Sequence, residues 1–83
     1  MNPKKLFERL GQGALRNVPF PDFQKLLEAC GFELDRVRGS HHIYLHPQVA
    51  EKLNLQPVRG EAKPYQIRQF LALAEKYHLK PEE

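Results

Sequence analysis

With 83 residues, the chain has room for one hydrophobic core and not for a second. A composition of 41% hydrophobic and 28% charged residues excludes a disordered chain, and no run reaches the ~18 apolar residues of a membrane span. The formal charge of +3, from 13 Lys and Arg against 10 Asp and Glu, suits an anionic partner but excludes a histone-like polybasic chain.

Asn2 and Pro3, an N-cap residue followed by proline, predict a short helix over residues 3–10. Leu6, Phe7 and Leu10 give it an apolar face, and Gly11 and Gly13 end it. Lys4, Lys5 and Arg9 bring positive charge without a following apolar run, so no secretory signal peptide is read here. A connector with Leu15, Val18 and Phe20 leads to a second helix, opened by Pro21 and Asp22, running to Ala29 and closed by Gly31. Cys30, the only cysteine, excludes an internal disulfide and fits a reducing, cytoplasmic setting. It falls in the stripe Phe23, Leu26, Leu27, Cys30, where it reads as a small core hydrophobe rather than a nucleophile.

Residues 32–38 predict a strand in which Phe32, Leu34 and Val37 break strict alternation; a bulge or a strong twist near Asp35 and Arg36 restores the parity. Gly39 and Ser40 form a turn, and residues 41–46 a second strand stopped by Pro47. Residues 48–52 read as a polar excursion, 53–58 as a third, shorter strand, and 60–63 as a loop. Pro64 opens the last helix, where Ile67, Phe70, Leu71 and Ala74 repeat at helical spacing, and Pro81 closes it. The expected fold is therefore α+β, in the order α-α-β-β-β-α. It is a three-stranded antiparallel sheet with the two longer helices on one face, the layout of a double-stranded-RNA-binding domain.

Chemistry concentrates in one strand. His41, His42 and His46 occupy a six-residue stretch, and histidine is the side chain suited to proton transfer near neutral pH. Alternation sends His42, Tyr44 and His46 one way and His41, Ile43 and Leu45 the other. Both rows carry apolar residues, so the pattern leaves open which face is wet. His42 and His46 lie about 13 Å apart along a strand, with no Cys pair or nearby Asp to complete a tetrahedral set. No metal and no cofactor is expected. Ser40 beside His41 is not a triad, because strand neighbours point to opposite faces.

The run Arg38-Gly39-Ser40-His41-His42-Ile43-Tyr44, followed by His46-Pro47, resembles the central motif of the HicA family of mRNA-cleaving toxins. The helix ending in Cys30-Gly31-Phe32 and the segment from Lys63 to Leu71 are similar to that family's opening and closing helices. The resemblance covers residues 20–79 as a HicA-like domain, which leaves the short helix and connector over residues 1–19 before it and a tail over 80–83 after it. Residues 1–19 add a segment that the shortest members lack, and Leu55 to Gly60 stand where many members carry a Val-Pro-His run.

The resemblance further implies a metal-independent endoribonuclease acting on mRNA, restrained by a HicB-type antitoxin and not tied to a membrane. RNA brings its own nucleophile, the 2′-OH, so the protein need only take a proton and steady the phosphate. The family's proton-transfer role maps to His41, with His42 in reserve because two adjacent histidines leave the register open. Arg36, Arg38, Ser40 and Lys63 are the candidate RNA contacts. The alternatives are a non-catalytic RNA-binding module of the same fold and a protein-interaction domain whose basic face docks an acidic partner.

Overall fold

The computed structural model describes residues 1–82, so residue 83, the end of the expected tail, lies outside the described residues. Asn2 starts the first helix by accepting the Lys4 N–H at 2.8 Å, and Pro3 supplies the first helical position, where a missing N–H costs nothing. This helix, α1, covers Pro3–Gly11. Next comes α2, Phe20–Ala29, and Gly31 follows it at φ 97°, a conformation that favours glycine.

Three strands follow, β1 Glu33–Arg38, β2 His41–His46 and β3 Val49–Leu55, in the antiparallel order β1-β2-β3. The expected bulge is present: Leu34 pairs with Tyr44 and Arg36 with Ile43, leaving Asp35 unpaired. It returns Leu34 and Val37 to the side of Tyr44 and His42, but both stay about half exposed, at 44% and 49%.

The third strand corrects the sequence reading, which set it at 53–58 after a polar excursion. It starts at Val49, because Pro47 and Gln48 turn the chain tightly and Val49 pairs back to His46. Ala50, Glu51 and Lys52 are exposed on this edge strand, so the charges of Glu51 and Lys52 need no loop to accommodate them. Val58 instead enters a hairpin with Glu61, in which Arg59 and Gly60 take φ 52° and 77°, the signs that a primed turn requires.

The last helix, α3, covers Pro64–Lys76 and ends before Pro81; the chain leaves it through Tyr77 and His78, the latter at φ 56°. The Glu82 N–H donates to the Ala29 carbonyl at 2.9 Å, which brings residue 82 back to α2.

The helices and the inner sheet face enclose one core. Phe23 meets Phe70 edge-on at 5.6 Å between ring centroids, and Phe32 meets Phe70 at 6.2 Å. Tyr44, Leu53 and Leu55 come from the sheet and Leu26, Leu27 and Ile67 from the helices, all buried. Leu6 and Leu10 of α1 belong to this same core, and Phe7 packs on Phe70 at 6.2 Å. Truncating a phenylalanine here should cost ~3–5 kcal/mol. The connector is tied to the loop before α3, with Phe20 N–H donating to the Gly60 carbonyl at 2.8 Å and Ala62 N–H to the Val18 carbonyl at 2.9 Å.

Candidate nucleic-acid interface

Tyr44 decides which face of β2 is wet. Its ring is 1% exposed and its hydroxyl accepts from the Gln24 side chain at 3.0 Å, so the Tyr44 row faces the helices. His42 and His46 therefore point inward, and His41 points out onto the open face of the sheet. Adjacent histidines have been sent to opposite sides.

Each inward histidine is tied down. His42 lies half-buried against Phe20, ring centroids 4.9 Å apart, and its Nδ1 donates to the Ser40 carbonyl at 3.0 Å. Nε2 of His46 donates to the Cys30 carbonyl at 3.0 Å, while its Nδ1 accepts the Gln48 N–H at 3.0 Å. Both ring nitrogens of His46 thus have structural partners. Cys30 itself is buried, and desolvation pushes its thiol up to about 11, which keeps it protonated and unreactive at neutral pH.

The outer face carries the exposed set. Arg38 pairs with His41 across the Gly39-Ser40 turn, and Gly39 takes φ 59° at its first position. Directly opposed residues share a face, so Arg38 and His41 lie side by side, with Arg36 beside Ile43 one step along. Arg36 makes a loose contact to its neighbour Asp35 at 3.6 Å; among the described residues Arg38 has no carboxylate partner.

Ser40 serves the turn: its hydroxyl accepts from the Gln56 side chain at 2.8 Å and its carbonyl from His42 at 3.0 Å. Lys63 stands before α3, with its ammonium 5.9 Å from the Tyr65 ring centroid. It joins the His41 region only through a chain of contacts. Tyr65 is linked to Gln66 at 3.2 Å, Gln66 reaches the Asn54 carbonyl at 3.4 Å, and the Asn54 side chain contacts His41.

Sequence reasoning missed Asn54, Gln56 and Gln66. Nδ1 of His41 lies 3.1 Å from Oδ1 of Asn54. Gln66, the buried polar residue of the core at 4% exposure, accepts the Gln56 N–H at 3.1 Å and so holds this end of β3 against α3. The amide-rich run Asn54 to Gln56 was the available signal, but it was read inside a displaced strand. An open cleft of about 750 Å³ lies elsewhere, between residues 13–17, Glu61 and Arg68, and does not include His41. A flat basic sheet face needs no cavity to meet a phosphate backbone.

Among the described residues no group of three or more His, Cys, Asp or Glu is arranged to hold a metal ion, and no helix is long and apolar enough to cross a membrane. Residues 20–75 match the family model described as the HicA toxin of bacterial toxin-antitoxin systems. The chain belongs to the HicA toxin family. The match begins at the first residue of α2 and ends within α3, so α1 and the connector lie outside it. Comparison with curated proteins and with solved structures returned no match. Membership of HicA makes this chain the toxin member of a toxin–antitoxin pair, and the HicA segment holds every candidate site residue, from Arg36 to Lys63.

Proposed function

We propose that this HicA chain is an endoribonuclease that cleaves mRNA without a metal ion, with His41 as the group that takes the proton. The observation that carries the reading is the outward-facing His41 beside Arg38, which among the described residues has no carboxylate partner, on the open face of the sheet. In the proposed step His41 Nε2 removes the proton of a ribose 2′-OH. The 2′-oxygen then bonds to the adjacent phosphorus, the bond from phosphorus to the 5′-oxygen breaks, and the departing oxygen takes a proton from water. The products are a 2′,3′-cyclic phosphate and a 5′-hydroxyl. Arg38 and Arg36 supply charge to the phosphate as it becomes more negative, and Lys63 extends the basic track toward α3. His42 is the weaker candidate, because its ring is packed on Phe20 and its Nδ1 is committed to Ser40.

Expression of the chain alone tests this. Growth should stop and intact mRNA be depleted, and His41→Ala should relieve both, since loss of a general acid–base group costs about 10²–10⁴-fold in rate. Cleavage should persist in excess EDTA and fail on a substrate with deoxyribose at the scissile position. Binding without cleavage would favour the non-catalytic RNA-binding alternative.

The toxin's partner is proposed to be a HicB-type antitoxin whose acidic surface covers residues 38–46. Such a complex should slow hydrogen exchange across these residues and abolish RNA binding together. A ternary complex with uncleaved RNA would show the antitoxin seated elsewhere.

A further inference from the structure

We infer that Asn54 is the positioning residue that fixes the tautomer of His41, presenting the Nε2 lone pair to the substrate. The inference rests on the reading of His41 as the proton acceptor and adds to it the device that makes the acceptor available. An amide oxygen only accepts, so the 3.1 Å contact to Oδ1 requires the hydrogen of a neutral His41 to sit on Nδ1. Nε2 is then left with its lone pair, directed away from β3. A solvated imidazole prefers the opposite arrangement, with hydrogen on Nε2 and no base on the outer edge.

The three strand histidines show what such partners do. His46 donates from Nε2 to a carbonyl and accepts at Nδ1, and its ring serves the fold. His42 donates from Nδ1, but inward and against Phe20. His41 alone combines an engaged Nδ1 with an exposed ring on the face that carries Arg36 and Arg38.

Asn54 is itself held. Its backbone carbonyl accepts from the buried Gln66 side chain at 3.4 Å, and Gln66 also binds the backbone N–H of residue 56 at 3.1 Å. Gln56, two residues past Asn54 and just beyond β3, reaches the Ser40 hydroxyl at 2.8 Å. Helix α3 thus anchors the backbone at Asn54, in β3, and at Gln56, just beyond it. The Gln56 side chain braces the turn before His41, and that of Asn54 braces the imidazole. A neutral amide also orients the ring without adding negative charge beside the phosphate, which a carboxylate would do.

The test uses the full chain with ¹⁵N-labelled histidine, in which long-range ¹H–¹⁵N correlations identify the protonated nitrogen of each neutral ring. Wild type should show Nδ1–H at His41. Asn54→Leu, of similar shape and on an exposed position, should move it to Nε2–H, while Asn54→Asp, which keeps an acceptor, should not. With single-turnover cleavage of a short RNA, Asn54→Leu should lower kcat at least about tenfold with little change in KM, the pattern for loss of an interaction felt in the transition state. Asn54→Asp, which keeps the acceptor but adds negative charge beside the phosphate, should recover only part of kcat. A tautomer unchanged in Asn54→Leu overturns the inference, as does a changed tautomer with unchanged kcat. If His41→Ala still cleaves, the catalytic reading has failed instead, and the tautomer measurement still reports on Asn54.

Discussion

The ring of His46 occupies the space where any residue other than glycine at position 31 would carry its Cβ. An ideal Cβ built on Gly31 lies 2.6 Å from Nε2 of His46 and 3.1 Å from Cδ2. The approach is close because Nε2 reaches past Gly31 to the Cys30 carbonyl at 3.0 Å, and Phe32 flanks the ring at 5.0 Å. The Gly-aromatic step from α2 into β1 and the last residue of β2 are therefore one packing unit. Gly31→Ala should destabilise the fold by at least about 1–3 kcal/mol, from the φ of 97° as well as the overlap. In a His46→Ala background the same change should cost less, because the overlap is gone. Urea denaturation of the four variants measures this, and equal costs in both backgrounds would show that the ring is not the obstacle.

Stability should separate His41 from His42. His42 packs on Phe20 and donates to Ser40, so His42→Ala should cost about 1 kcal/mol or somewhat more. His41 is exposed, and His41→Ala should stay within about 0.5 kcal/mol of wild type. Activity should follow the reverse order. Melting curves and cleavage assays on the same preparations test the pair, and an inactive, fully stable His42→Ala would reverse the assignment.

RNA affinity should fall steeply with salt. On single-stranded RNA each lost phosphate contact flattens the log–log slope by about 0.7. Arg38→Ala should show the full change. Arg36→Ala should show less, since Asp35 already lies 3.6 Å from that guanidinium. Slopes unchanged in both variants would move the RNA to another face.

The contact between β3 and the end of α3 should be sensitive to acid. The Tyr77 hydroxyl donates to Glu51 at 2.6 Å and Lys76 lies 2.9 Å away, which together lower the Glu51 carboxyl from 4.5 to about 2. A carboxyl depressed in the folded state stabilises fully above its unfolded value and loses that contribution as pH falls toward its folded value. The window is therefore between pH 4.5 and about 2. The contribution is small because the group is fully exposed and screened. Glu51→Gln should flatten the melting temperature across this window and leave cleavage unchanged at neutral pH. An unaltered acid profile would mean that the contact does not persist in solution.

Local rules in the sequence were enough for the first and last helices' starts, the bulge at Asp35 and the exact span of β2. Each follows from residues within a turn or two: a cap and a proline, a broken alternation, a Gly-Ser turn and a stopping proline. The Arg38-to-Tyr44 motif likewise pointed to the family. Tertiary structure decided the rest. Residues 50–52, with the charges of Glu51 and Lys52, suggest a loop because nothing local shows that this part of the strand leaves its side chains in water. The facing of β2 also needed the fold. His42, Tyr44, His46 and His41, Ile43, Leu45 are equally plausible inner rows until the helices cover one of them, and Tyr44 is the side chain they cover. The partner of His41 was out of reach for the same reason. Asn54 lies 13 positions along the chain, and only the pairing of β2 with β3 brings its amide to the ring.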